Sequence, residues 1–289
     1  MSAKDKLVSK LSRISYQFYD KRNPTVSVMS IDETLDTLIS SEKSLVRFGD
    51  GEILTLQGKD IALQKSDDEL AECFKMLLTN KYEDLLVAIP DIFSNLDMYR
   101  EESRLFWEEH LFKYRKVYKK CCDAGSRYGN SFITRCYYIF QDKSECGIWF
   151  AKFRKIWDNK KITVIEGEKS HSGVGNDLFD NAAEVKRIIC PSKNAYSVKD
   201  KIISAGMSFE KDRLILFALG PTAKYIAYQL FMSGYRVIDI GNLDLEYEWF
   251  LMKASEKVTL SKYSVIGEEA DRCAGYAEYL SQIKYRIGT

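Results

Sequence analysis

A succession of short apolar runs, each broken off by glycine, proline or an acid, constrains this chain more than any other feature. Leu45–Phe48 stops at Gly49-Asp50-Gly51-Glu52, and Leu85–Ile89 stops at Pro90. Ile162–Ile165 stops at Glu166-Gly167, Val185–Cys190 at Pro191, Leu214–Leu219 at Gly220-Pro221-Thr222, and Val237–Ile240 at Gly241-Asn242. Runs this short and this continuously apolar read as strands buried on both faces. Segments with helical periodicity separate most of them, so the expectation is an α/β fold with a mostly parallel sheet and helices on both faces.

The intervening segments carry their own signals. Ser30-Ile31-Asp32-Glu33 and Ser66-Asp67-Asp68-Glu69 are capping-box patterns opening helices with apolar faces Ile31, Leu35, Leu38, Ile39 and Leu70, Phe74, Leu77, Leu78. The pattern predicts a short second strand over Ile53–Leu56, a long helix over Leu96–Cys121 and an aromatic strand over Phe132–Phe140. His110 falls on the apolar stripe of the long helix and reads as a packed side chain. That helix ends in Lys113, Arg115, Lys116, Lys119 and Lys120, either a solvated face completing the helix dipole or a docking surface for an anionic acceptor. With no composition shift or low-complexity linker, residues 1–289 read as one domain with an N-terminal helical extension over 1–30 and a helical decoration over 96–130. In the extension Leu7, Leu11, Ile14 and Phe18 recur at helical spacing among Lys4, Lys6, Lys10 and Arg13. Packing against the domain is the expectation, contact with an anionic membrane surface the alternative.

Bulk composition mainly excludes. Forty-three basic against 42 acidic residues leave a net charge of +1, which gives no general attraction to nucleic acid. Seven cysteines without a Cys-x-x-Cys fit a reduced, cytoplasmic thiol set better than a disulfide framework or a zinc site. His110 and His171 are the only histidines, so any metal should be hard and oxygen-liganded, magnesium or manganese. No apolar run approaches the roughly 18 residues of a membrane span, and no signal-peptide core is visible, so membrane contact is at most peripheral.

In a parallel sheet, ligands bind beyond the carboxyl ends of the strands. The acids and glycines of this chain cluster there: Gly49, Asp50, Gly51 and Glu52; Glu166 and Gly167; Gly220, Pro221 and Thr222; Asp239, Gly241 and Asn242. Any one cluster can be turn chemistry. Together they point to a phosphate-and-metal site in which Asp50 and Glu52, two residues apart, aim oxygens at one cation. Pro221 opens an amphipathic helix whose free amides, with the Thr222 hydroxyl, can hold a phosphate or simply cap well. The loop Ser170–Asp177, with His171, Gly173, Gly175, Asn176 and Asp177, can wrap a diphosphate or sugar or be a surface loop. Asp177, Asp244 and Glu246 are candidates for a general base. On a helix, Glu246 and Glu248 point apart, so at most one serves the site.

Five stretches carry a resemblance: Arg-Phe-Gly-Asp-Gly-Glu at 47–52, Gly-Val-Gly-Asn-Asp-Leu-Phe at 173–179, Cys-Pro-Ser-Lys-Asn-Ala at 190–195, Leu-Gly-Pro-Thr-Ala at 219–223 and Asp-Ile-Gly-Asn-Leu-Asp-Leu-Glu-Tyr-Glu-Trp at 239–249. In order and spacing, from about Ile31 to Glu268, the chain resembles the bacterial GT-D type glycosyltransferases. The resemblance implies a Rossmann-like domain that takes a sugar from a nucleotide-sugar donor, typically a UDP-sugar, to a glycan, glycoprotein or lipid-linked glycan acceptor. It also implies a divalent cation, Mn2+ or Mg2+, on an Asp-x-Glu motif carried here by Asp50 and Glu52. On this reading Asp50, Glu52 and Asn242 serve the metal, Arg47 and Asp239 the donor pocket, and Asp244 and Glu246 the chemistry. Two positions depart from the expected pattern, Asn242 in place of His and His171 in place of Arg. Two other readings share this donor site: a nucleotide-sugar hydrolase and a non-catalytic nucleotide-sugar-binding member.

Overall fold

The computed structural model describes residues 3–19, 26–263 and 275–288, with the side chains of 3–6 outside that description. The capping box at Ser30 forms as written: Glu33 N–H donates to Ser30 Oγ at 3.1 Å and Ser30 N–H to Glu33 Oε2 at 2.8 Å, opening α2 (Ile31–Ser40). The second box forms differently. Asp67 caps α4 (Asp68–Thr79) by accepting the Leu70 amide, and Ser66 lies outside the helix.

The six apolar runs become strands of one sheet, β2 (Ser44–Arg47), β3 (Leu85–Ile89), β5 (Lys161–Gly167), β6 (Glu184–Cys190), β7 (Leu214–Ala218) and β8 (Val237–Asp239), joined by three strands the sequence reading did not identify, β1 (Ser27–Val28), β4 (Arg127–Asn130) and β9 (Ile283–Arg286). Among the described residues the sheet has nine strands in the order β1-β4-β3-β2-β8-β7-β5-β6-β9, and every pairing is parallel. Side chains alternate across a strand, yet all five residues of β3 and of β7 are buried, so both faces of the sheet are covered. α4, α7 (Lys199–Met207) and α8 (Thr222–Met232) pack together, while α2, α6 (Cys146–Ile156) and α9 (Leu243–Leu251) form a separate group. Ten α-helices are described in all, the remainder being α1 (Ala3–Gln17), α3 (Asp50–Thr55), α5 (Glu101–Cys121) and α10 (Tyr276–Gln282). None is long and apolar enough to cross a membrane. The six described cysteines are buried and unpaired.

Three local expectations need correction. Ile53–Leu56 is not a strand: it belongs to α3 and its C-cap, because Glu52 reaches back to the Gly49 amide at 2.7 Å and starts a helix there. Phe132–Phe140 is not a strand either; the strand lies just before it, and Ser131–Arg135 is a 3₁₀ turn. The aromatic residues reflect burial rather than extended backbone. In α1 the stripe does not pack inward: Leu7, Leu11, Ile14 and Phe18 are 58%, 43%, 42% and 84% exposed, whereas Ser12 and Tyr16 are buried. Tyr16 fixes the helix by donating to the Ser94 carbonyl and accepting the Leu96 amide.

Candidate active site

β2 and β8 are neighbours, with Leu45 opposite Ile238, and the chain reaches them from opposite sides of the sheet. A crevice opens beyond the carboxyl ends of strands at such a reversal. Arg47, the last residue of β2, crosses to β8: its Nε donates to the Asp239 carbonyl at 2.8 Å, Nη2 to Asp239 Oδ1 at 3.1 Å and Nη1 to the Ser131 carbonyl at 3.1 Å. Gly241 permits this crossing. Its φ is +45°, and a Cβ there would lie 1.8 Å from Arg47 Nη2.

A second cation completes the rim. Lys224, in the first turn of α8, is buried with Nζ 2.7 Å from Glu52 Oε1 and 3.2 Å from Asp239 Oδ2, and donates to the Gly220 carbonyl at 3.2 Å. Burial alone would raise the Asp239 carboxyl, but the Arg47 guanidinium and Lys224 ammonium hold it below the usual carboxylate range. Glu52 is committed at both oxygens, Oε2 to the Gly49 amide and Oε1 to Lys224.

Asp50 stands in front of this buried network. Its residue surface is open to solvent, and no ion pair among the described residues engages it. The recess around its carboxyl desolvates it and the Glu52 charge repels it, so its affinity for a proton is raised, against the pull of its own and the Gly51 amides and of Arg135. Arg135 also lies 3.9 Å from Glu246 Oε1. Glu246 is fully buried, accepts the Tyr137 and Tyr138 amides at 3.0 and 2.8 Å through Oε2, and is pushed up by burial.

The loop of residues 170–177 is organised from below. Glu166 ends β5 region contacts by accepting the Ser172 amide at 2.9 Å and the Arg187 guanidinium at 2.6 Å. His171 (φ +43°) is buried, its Nδ1 2.6 Å from the Lys262 carbonyl and its ring against Tyr276 and Tyr279; burial lowers its pKa. Gly173 N–H and Asn176 Nδ2 donate to Asp244 Oδ1 at 2.9 and 2.8 Å, while Tyr263 and Lys262 take Asp244 Oδ2. Asn176 Nδ2 and Lys262 Nζ also reach Glu248 Oε1, at 2.7 and 2.5 Å. Asp244 and Glu248 thus hold the loop from one side of α9 while Glu246 holds the Tyr137–Tyr138 backbone from the other. Asp177 leaves this cluster for Tyr247 and Arg154, both at 2.6 Å, and these partners hold its carboxyl low.

At the start of α8 the Thr222 hydroxyl donates to Gln64 Oε1 at 2.9 Å, and the Ala223 and Lys224 amides donate back to the Gly220 and Pro221 carbonyls at 3.2 Å. These groups are already partnered within the protein. Gly220 (φ +55°) faces Leu63, Gly167 packs on Ser192, Gly51 on Ile61, and Gly175 (φ +78°) and Asn242 are exposed.

The structure therefore joins Arg47, Gly49, Asp50, Glu52, Asp239 and Gly241 on one rim, and Glu166, His171, Gly173, Asn176 and Asp244 in a second cluster. Sequence reasoning missed Lys224, Arg135, Gln64, Lys262 and Tyr263. Lys224 had a signal, a lysine beside Ala223 at the start of an apolar helix. Among the described residues no group of three or more His, Cys, Asp or Glu side chains is placed to hold a metal. Asp50 is the rim carboxylate left without an ion pair. That donor set suits a hard cation bringing most of its ligands as waters and phosphate oxygens.

Fold and rim together define an α/β domain whose candidate site lies at a strand-order reversal. The model of the glycosyltransferase GT-D fold family matches residues 45–267, and the chain belongs to that family. It is 43% identical over 262 residues to the probable glycosyl transferase Gly of Streptococcus gordonii, covering 89% of this chain and 38% of that protein. It is 40% identical over 278 residues to the glycosyltransferase GlyD of Streptococcus pneumoniae, covering 95% of this chain and 34% of the relative. The chain thus spans little more than a third of the length of these relatives. It is also similar to two solved structures, each at 41% identity. One is of a highly conserved domain of unknown function with a distinct glycosyltransferase fold (TM-score 0.86, 93% of this chain and 98% of that one). The other is a new glycosyltransferase from Streptococcus sanguinis (TM-score 0.85, 91% and 100%). The chain is accordingly a domain of the glycosyltransferase GT-D fold family.

Proposed function

We propose that the chain transfers a sugar from a nucleoside diphosphate sugar, a UDP-sugar in the first instance, to a glycan, glycoprotein or lipid-linked glycan hydroxyl. The observation that carries this reading is the rim at β2 and β8. Its buried charges are neutralised internally by Arg47 and Lys224, leaving Asp50 outside the pairing beside the Arg135 guanidinium.

In the reaction the bond from the anomeric carbon to the diphosphate oxygen breaks, the acceptor oxygen bonds to that carbon, and the acceptor proton passes to a base. Asp50, with Asn242 after the neighbouring strand, would hold a Mn2+ or Mg2+, which when bound would supply Lewis acidity toward the departing diphosphate; Glu52 would join it only by releasing Lys224 or the Gly49 amide. Arg135 adds positive charge next to the same carboxylate. Lys224 and Arg47 fix the Glu52 and Asp239 carboxylates and so keep the backbone at Gly49 and Gly241 in place. Of the three candidate bases, Asp244 and Asp177 are fully engaged by donors. Glu246 has its Oε1 without a hydrogen-bond partner among the described residues and a raised proton affinity, which suits a base.

The test measures thermal stabilisation by nucleotide sugars with and without manganese, alongside transfer to an acceptor panel. Asp50→Asn should retain the fold and lose cation-dependent stabilisation and transfer together. Full transfer by this variant would remove Asp50 from the mechanism.

A further inference from the structure

The helix α1 is attached to the protein inside out. Its polar side, Ser9, Ser12, Ser15, Tyr16 and Tyr19, turns inward, with Ser12, Ser15, Tyr16 and Tyr19 lining the seam with α5. Its apolar side, Leu7, Leu11, Ile14 and Phe18, turns outward, and at spacings of four, three and four these side chains form one stripe. A helix in water normally does the reverse. The same two helices carry bases, Lys10 and Arg13 on α1 and Lys116, Lys119 and Lys120 on α5, all exposed and without an ion pair among the described residues, with Lys116 at the seam between the helices. Arg115 binds the two helices by lying over the Tyr19 ring at 5.7 Å. Phe106 and Phe112 of α5 add exposed aromatic surface, 49% and 43%.

We infer that this face seats the protein on an anionic bilayer surface, with the α1 stripe entering the headgroup boundary and the lysines and arginines of the two helices pairing with lipid phosphates. Basic residues together with an outward stripe of Leu, Ile and Phe are the composition an interfacial helix requires. A second copy of the chain fits poorly, because a symmetric contact sets the same basic residues against themselves. α5 also packs against α3, the helix that carries Asp50 and Glu52. If the proposed transferase reading holds, the docked enzyme presents its rim to acceptors carried by the bilayer; docking itself does not depend on that reading.

The experiment is co-sedimentation of the full chain with vesicles of phosphatidylcholine alone or mixed with phosphatidylglycerol, at low and high salt. The chain should sediment with the anionic vesicles only and be released by salt. Leu11→Asp with Phe18→Asp should abolish sedimentation, and Lys116→Glu with Lys119→Glu should weaken it by on the order of thirtyfold. All four side chains are exposed, so unchanged circular dichroism melts should accompany both losses. Absence of wild-type binding to anionic vesicles overturns the inference whatever the variants do. So does equal binding by both double variants, or a wild-type dimer in sedimentation equilibrium that Leu11→Asp with Phe18→Asp dissolves.

Discussion

Lys224 holds two buried carboxylates that come from opposite halves of the sheet, Glu52 after β2 and Asp239 at the end of β8. Replacing it by methionine keeps the volume, takes the ion partner from Glu52 and leaves Asp239 to Arg47 alone, which should cost about 3–5 kcal/mol in urea unfolding. A loss below about 1 kcal/mol would mean that the carboxylates find other partners. Gly241→Ala tests the neighbouring contact, since its Cβ must displace the Arg47 guanidinium; the variant should lose donor-induced stabilisation. Asp50 and Asp239 respond to pH in opposite senses. The lowered Asp239 contributes stability that is present above the ordinary carboxylate range and lost as pH falls through its depressed value. The raised Asp50 favours the fold in acid, and that contribution is lost as pH rises through its elevated value. Asp50→Asn should therefore gain melting temperature relative to the parent between acid and neutral pH, read by scanning calorimetry. Asp50, Glu52 and Asp239 could be picked out in sequence because strand ends carry ligands in parallel sheets. Lys224 could not be placed, because its partners are distant in sequence and only the sheet order brings them together.

Among the elements, α9 has the most tasks. Asp244 and Glu248 anchor residues 170–177 from one side while Glu246 ties down the Tyr137 and Tyr138 amides from the other. Asp244→Ala should free the Gly173 amide and the Asn176 side chain and so raise amide exchange across 170–177, with exchange in β5 unchanged. Unaltered loop protection would show that Lys262 and Glu248 suffice. Much of the element pattern was readable: the buried runs became strands, and the Ser30 capping box opened its helix. α3 was misread although its signal was present, a glutamate three residues after Gly49. The aromatic stretch after β4 misled for another reason. Tyr and Phe fill the core there from irregular backbone whose amides Glu246 satisfies, and side-chain type does not reveal which way a backbone turns.

Across the whole molecule, the described strands form one unbroken parallel sheet, with β8 inserted between β2 and β7. Urea unfolding followed by tryptophan fluorescence and by far-ultraviolet circular dichroism should give coincident midpoints. Separate transitions would mean that the two flanks of the sheet fold as independent bodies. The class of fold was legible because most interior strands carry continuous apolar runs, whereas polar β4 (Arg127–Asn130) escaped notice and strand order leaves no local trace in composition.

The place of β8 also orders events at the ribosome. Synthesis delivers β2 first and β7 much later, and both present open edges until Val237–Asp239 emerges and fills the slot between them. The candidate site is therefore absent from the nascent chain until residue 239 has been made, and the step that seals the sheet is the same step that delivers Asp239 to Arg47.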